Sequence, residues 1–426
     1  MTLNEVIKAV GGITKLNSSE EIREIKTDTR KLKKGDLFIA LKGKNYDGHD
    51  FIKEAIDKGA IACITENFDY EKCINVKDTY KSLFDLAKYI RSKYSIPLIA
   101  VTGSNGKTTT KDLIYHILDS QYKVLKNEGS NNNLIGVSDT LFKLDNTYDI
   151  IMMELGSNHI GEISYLSKMC LPTTSLITNI GSSHLEYFKT KKNIFKEKYS
   201  VKDGMINENI IVNGDDRYLK KIKCYKCGIK KRNDLIAYDI EDNMDNISFK
   251  IYLDKEYKIV FNNPGVHFVN DILLAIKVCL DYGVKIKTII KKINNFKITD
   301  KRMKIIKVND NIIINDCYNS SLESITAGIN YIKKINSDKV LIIGDILELG
   351  KKSKKIHKKI KKKVSKLNNV KVLTVGKYSS VIKGVNFSNS DELIDYIDKN
   401  PITNSYIYIK GSRRMNLDKI VNYFKS

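Results

Sequence analysis

The segment Val101-Thr-Gly-Ser-Asn-Gly-Lys-Thr-Thr-Thr110 combines residue types that hold phosphate. Gly103 and Gly106 let successive backbone N–H groups converge on an anion, and a helix starting behind them adds the positive end of its dipole. Lys107 would reach the terminal phosphates, the Thr108 hydroxyl would ligate Mg²⁺, and Ser104, Asn105 and Thr109 complete the cradle. Its spacing departs from the usual Walker A loop, because Gly103 and Gly106 enclose only two residues. A glycine turn before a helix often arises without function. Lys-Thr-Thr in register with it predicts a nucleoside triphosphate site.

Two further groups belong with it. Tyr148-Asp-Ile-Ile-Met-Met-Glu154 reads as a buried strand ending in a carboxylate, and ligands of parallel-sheet enzymes gather at that end of the strands. Glu154 is therefore placed to hold Mg²⁺, a hard ion that prefers oxygen. The next strand runs into Thr178-Asn-Ile-Gly-Ser-Ser-His184, where a histidine could ligate a metal or orient a phosphate. Taken singly, an acid or a histidine at a strand end is more often structural.

Positioning these groups requires alternating strands and helices, the pattern of a largely parallel sheet. Ile96–Val101, Tyr148–Leu155, Thr174–Thr178 and Asn209–Val212 are the predicted strands of a central block, residues 96–299. Phe249–Leu253 and Tyr257–Phe261 read as an added hairpin, followed by a helix over Val269–Asp281. The first block, residues 1–95, has a predicted strand at Asp36–Leu41 and a helix over Phe51–Gly59. The last, residues 300–426, opens on a hairpin, Met303–Lys307 with Ile312–Asn315. It continues with strands at Val340–Ile343, Val370–Val375 and Tyr406–Ile409. The expected fold is α/β in three domains: a central phosphate-loop domain between a small N-terminal α/β domain and a C-terminal Rossmann-like one.

A length of 426 residues suits two or three domains, and no apolar run approaches the eighteen or so residues that span a bilayer. Met1–Val10 lacks a signal-peptide apolar region, so a cytoplasmic location is expected, and seven cysteines without framework spacing fit reduced thiols there. Cys224-Tyr-Lys-Cys227 is a lone pair without a second pair placed for zinc. The net charge of +23 raises the question of nucleic acid. The densest block, Lys351–Lys366, carries Ile356, Ile360, Val364 and Leu367 at helical intervals, so its lysines fall on the outer face of an amphipathic helix. No aromatic residues are interleaved for base stacking, and no nucleic-acid partner is expected.

Together these segments resemble the Mur ligase family, ATP-dependent amide-forming enzymes of peptidoglycan precursor synthesis. Thr102–Thr109 matches the family's short phosphate loop, and Glu154-Leu-Gly-Ser-Asn-His159 with Gly161-Glu-Ile163, and Asn179–Glu186, match its metal-bearing segments. Asn213-Gly-Asp-Asp216 resembles a further central-domain motif. Lys26–Arg30, Gly35–Leu41 and Asp47-Gly-His-Asp-Phe51 resemble the domain that binds the UDP-sugar. Gly344-Asp-Ile-Leu-Glu-Leu-Gly350 and Lys410-Gly-Ser-Arg-Arg-Met415 resemble the member that adds D-alanyl-D-alanine.

The resemblance implies ATP, two Mg²⁺ ions held by Thr108, Glu154, His184 and Lys198, and catalytic roles for Lys107, Glu154, His184 and a carbamylated Lys198. It implies nucleotide contacts from Asp271, Arg302 and Asp316. Thr29, Arg30, Asp47, Gly48, His49, Asn132, Asn133, Tyr318 and Asn319 are implied to bind UDP-MurNAc-tripeptide or D-Ala-D-Ala, in a monomer that does not enter the membrane. The chain departs from the family at Ser130, at Ser321 and Leu322, where asparagine and proline are usual, and at Asp271 in place of an adenine-side asparagine. Another amino-acid-adding member, a paralogue acting on a different acid, and a phosphate-loop module that binds nucleic acid are the competing readings.

Overall fold

The computed structural model describes residues 1–298 and 301–425; the boundary expected at 299/300 lies outside the described residues. The chain forms three α/β domains with a small antiparallel sheet attached to the second. The N-terminal sheet is parallel, in the order Ile25–Lys26, Leu37–Ile39, Ala62–Thr65, Cys73–Asn75. Its predicted strand at Asp36–Leu41 is shorter than expected because Asp36 is drawn into a bidentate pair with Arg23, at 2.8 and 3.1 Å. The predicted helix over Phe51–Gly59 is α-helical only at Ile52–Asp57; Gly48–Phe51 is a 3₁₀ turn capped by Asp47.

The central sheet has seven parallel strands. Its spatial order is Leu235–Ile236, Tyr225–Gly228, Asn209–Asn213, Thr174–Ile177, Leu98–Thr102, Ile150–Glu154, Val124–Lys126. Leu98–Thr102 and Ile150–Glu154 are buried along their whole length, as strands covered by helices on both faces must be. From Leu98–Thr102 the chain first goes to the edge at Val124–Lys126, returns to insert Ile150–Glu154, and then crosses to the other side. That reversal opens a crevice at the carboxyl ends of the strands. The helix Lys107–Leu118 starts there and buries Leu113, Ile114, Ile117 and Leu118.

The expected hairpin is a three-stranded sheet: Tyr238–Asp242 pairs with Ile247–Tyr252, which pairs with Glu256–Phe261. The extra strand reads Tyr-Asp-Ile-Glu-Asp, and its charges conceal a half-exposed edge. The C-terminal sheet has six strands, with Lys304–Val308 antiparallel to Asn311–Asn315 at its edge. The parallel strands Tyr406–Lys410, Lys339–Gly344, Val370–Val375 and Val385–Phe387 follow. The lysine-rich helix is Ser353–Val364; it buries Ile356, His357, Ile360 and Val364 and exposes its lysines. Among the described residues no helix is long and apolar enough to cross a membrane.

Candidate active site

The phosphate loop leaves Leu98–Thr102 through two glycines that admit no other residue. Gly103 has φ +146°, and a Cβ there would lie 2.0 Å from Thr178 Oγ1. Gly106 has φ +80°, and its Cβ would lie 2.5 Å from Asp271 Oδ1. The loop is tied to the neighbouring strand end. Ser104 N–H donates to Asn179 O at 3.0 Å, Asn105 N–H to Asn179 Oδ1 at 3.0 Å, and Gly181 N–H to Ser104 Oγ at 2.8 Å. Two amides expected to face the anion are thus used internally, leaving the helix N-terminus at Gly106–Thr109 to receive it. Asn105 Nδ2 is buried without a partner, an orphaned donor that an anion would satisfy.

Behind the loop, Thr108 Oγ1 donates to Glu154 Oε2 at 2.6 Å, and both residues are buried. Glu154 is fixed on its other side by Asn132 Nδ2, which donates to Oε1 at 2.7 Å. Asn127 holds the Glu154 backbone on both edges, accepting from its N–H at 2.8 Å and donating to its carbonyl at 3.0 Å. A buried hydroxyl and carboxylate this close form a hard-oxygen pair that fits Mg²⁺. Burial, helped by Arg302, lowers the Lys107 ammonium pKa, while Glu154 opposes the shift.

A smaller cavity of about 60 Å³ extends from Lys107 and His184 to Lys198. Lys198 Nζ donates to Ser157 Oγ at 2.8 Å, and burial, with Lys107 adding repulsion, pulls its amine down to about 7. His184 Nδ1 pairs with Glu348, which comes from the C-terminal domain, and Glu186 N–H donates to Glu348 O at 2.9 Å. His184 and Glu348 both hold left-handed backbone, φ +54° and +60°. Such strain in non-glycine residues persists where surrounding contacts impose it.

The far wall belongs to the C-terminal domain. Arg302 Nη2 donates to Thr108 Oγ1 at 3.0 Å and its guanidinium lies over the Tyr318 ring, 4.1 Å from the centre. Ser321 Oγ donates to Asn105 Oδ1 at 3.0 Å, and Glu323 accepts from Ser182 Oγ at 2.6 Å and pairs with Lys191 at 2.9 Å. Asp316, expected to contact the nucleotide, lines the cleft with its Oδ2 bound by Lys410 at 2.7 Å and Tyr408 at 3.0 Å. Asp271 is buried against Gly106, and burial raises its carboxyl well above the usual range, with Thr110 and Arg302 opposing.

Together these groups line one cavity of about 460 Å³ between the second and third domains. It gathers Ser104 through Thr109, Asn132, Glu154, His184, Asp271, Arg302, Asp316, Tyr318 and Asn319. Gly103 and Lys198 open onto the smaller cavity instead. Asn133 lines neither; its side chain caps the helix Leu134–Leu141, accepting from Gly136 N–H at 3.0 Å. Thr29, Arg30, Asp47, Gly48 and His49 also lie outside both cavities, in the N-terminal domain. There Asp47 accepts from the His49 ring at 2.6 Å and the exposed Arg30 pairs with Asp28 at 2.8 Å. Asn179, Lys410, Arg413 and His267 also line the larger cavity and were not expected. Lys410 and Arg413 stand in the motif Lys410–Met415, and their charge was the available signal.

The profile of the Mur ligase middle domain matches residues 101–279, and that of the Mur ligase family catalytic domain matches residues 21–88. A UDP-N-acetylmuramoyl-tripeptide--D-alanyl-D-alanine ligase of Buchnera aphidicola is 34% identical over 95% of this chain and 92% of its own. The chain belongs to the Mur ligase family. A ligase of the same name from Bacillus subtilis is 31% identical over 94% of this Mur ligase and 92% of its own length. The crystal structure of MurF from Acinetobacter baumannii superposes with a TM-score of 0.92, at 28% identity, over 100% of this chain and 99% of its own.

Two departures of this Mur ligase from its family have a local physical account. Ser321 is the N-cap of the helix Leu322–Ile332, in a capping box with Ser324, and serine caps as well as asparagine does. Leu322 takes the first helical position, where proline is favoured but any good helix former serves.

Proposed function

We propose that this Mur ligase joins D-alanyl-D-alanine to UDP-MurNAc-tripeptide at the expense of ATP, as a monomer in the cytoplasm. The N-terminal domain, residues 1–95, would hold the UDP-sugar, residues 96–299 the ATP, and residues 300–426 the incoming amine. The observation that carries the reading is the meeting of Lys107, Thr108 and Glu154 with Arg302 and Tyr318 in one cavity. The full-length likeness to ligases of that activity supports it.

A carboxylate is a poor electrophile at neutral pH. In the proposed first step, a carboxylate oxygen of the tripeptide attacks the γ-phosphorus and the bond to the β-phosphate oxygen breaks, giving an acyl phosphate and ADP. In the second, the dipeptide amine attacks the acyl carbon, loses its proton, and phosphate leaves from the tetrahedral intermediate. Lys107 and Arg302 supply fixed positive charge where the γ-phosphate charge develops. Thr108 and Glu154 would hold one Mg²⁺, which neutralises phosphate charge when bound. His184 and Lys198 would flank a second. A protonated Lys198 repels a cation, whereas its amine, pulled down to about 7, is a nucleophile for CO₂, and the resulting carbamate would be an anionic ligand. Asp316 acts by fixing Lys410 and the turn behind Tyr318. The contacts from Arg302, Ser321 and Glu323 keep water from the acyl phosphate.

Phosphate release is the test. It should require ATP, UDP-MurNAc-tripeptide and D-Ala-D-Ala together and should be weak with single amino acids. Release stimulated by DNA or RNA but indifferent to the UDP-sugar peptide would overturn the reading. If Lys198 has the proposed role, Lys198→Ala should lose activity and a short added carboxylate should restore part of it.

A further inference from the structure

Four lysine and arginine side chains line the larger cavity: Lys107, Arg302, Lys410 and Arg413. Arg302 donates to Thr108 and Lys410 is neutralised by Asp316, while Lys107, at the start of the phosphate-loop helix, feels the charge of Glu154. Arg413 differs: it is exposed, and among the described residues no carboxylate lies within ion-pairing distance of it. Its guanidinium carbon sits 5.6 Å from the centre of the Tyr318 ring, which also carries Arg302 at 4.1 Å.

Arg413 is presented by a stiff turn. Ser412 N–H donates to Asp345 O at 3.0 Å, Leu347 N–H donates to Ser412 Oγ at 2.9 Å, and Met415 N–H closes on Ser412 O at 2.8 Å. Asp345 is itself held by the Ser379 N–H at 2.6 Å. The side chain therefore leaves from a fixed base, which favours recognition over casual solvation.

A peptide that attacks through its amino group brings a free carboxylate into a site already crowded with phosphate charge. That carboxylate needs a cation of its own, away from the reacting end. The two guanidinium carbons on Tyr318 are within about 10 Å of each other by their distances to its ring. With the amine beside the phosphate end marked by Arg302, Arg413 offers a separate cation for the carboxylate.

We propose that Arg413 is a specificity-determining residue that binds the terminal carboxylate of the incoming dipeptide. The inference rests on the ligase reading above. It is tested by steady-state phosphate release with ATP and UDP-MurNAc-tripeptide, comparing D-Ala-D-Ala with D-alanyl-D-alaninamide in wild type, Arg413→Gln and Arg413→Lys. Arg413→Gln should raise KM for D-Ala-D-Ala by about tenfold or more, as loss of a charged hydrogen-bond partner does. KM for ATP should stay within about twofold, the preference for acid over amide should vanish, and Arg413→Lys should recover part of it. Equal effects on acid and amide, or an ATP KM shifted as much as the dipeptide KM, would overturn the assignment while leaving the ligase reading intact. A wild type inert towards D-Ala-D-Ala would overturn both.

Discussion

The two walls of the cleft are built on different principles. The central wall is made of backbone and of residues adjacent in sequence: a glycine loop, the start of one helix, and the ends of two neighbouring strands. Its key contacts lie at the carboxyl edge of one parallel sheet, as between Thr108 and Glu154 or Ser104 and Asn179. The C-terminal wall is made of side-chain charge brought together over long sequence separations. Lys410 meets Asp316 across 94 residues, and Arg302 meets Thr108 across 194. One wall supplies a pre-formed anion cradle, and the other supplies charge that depends on how the two domains sit.

The sharpest way to separate them is Lys107→Ala, which removes the cradle's cation and leaves the fold alone. Its kcat should fall by about a thousandfold or more, as loss of fixed transition-state charge does. A fall of less than tenfold, by the same phosphate-release assay, would mean the triphosphate does not sit on this loop. On the other wall, Lys410→Met leaves Asp316 buried and unpaired and should lower stability by about 3 kcal/mol. Adding Asp316→Asn should return part of the loss, read as the urea midpoint of the two variants.

The Lys198 amine tests the smaller cavity, which lies wholly within the central domain. Its folded-state pKa is depressed to about 7 from a model value of 10.5. The unfolded chain therefore binds the proton more readily between those pH values. The stability of wild type relative to Lys198→Met should be fullest above about pH 10 and decline as pH falls to about 7, then level off. Thermal denaturation across that range in CO₂-free buffer measures it. A flat difference would remove the burial argument for a reactive Lys198.

Asp271→Asn should have the smallest effect on function. The buried carboxyl pressed against Gly106 has its pKa raised by desolvation, and a protonated carboxyl presents one donor and one acceptor, as an amide does. Nucleotide affinity should stay within about twofold of wild type by titration calorimetry. Because the folded pKa is raised, wild-type stability should be held at low pH and lost as pH rises, so the variant's advantage should grow with pH.

This contrast also sets how much could be read beforehand. The cradle was legible because Val101–Thr110 is contiguous, and Leu98–Thr102 and Ile150–Glu154 are wholly buried strands that short continuous apolar runs reveal. Arg302, Tyr318 and Asn319 were reachable through family likeness. The Lys410–Asp316 pair and the grip of Glu348 on His184 were not, since no local pattern connects positions so far apart. Short edge strands such as Val124–Lys126 and Leu235–Ile236 were missed because two or three residues carry no period. The charged strand Tyr238–Asp242 was missed because its polarity imitates a loop.

Arg302, Ser321 and Glu323 all reach the central domain from one short stretch of the third domain, and Glu348 adds a grip on His184. A swing of that domain as a unit withdraws guanidinium, hydroxyl and carboxylates in a single movement. Catalytic competence should therefore switch on and off as a whole, and a reactive anhydride would form only in the state that also shelters it.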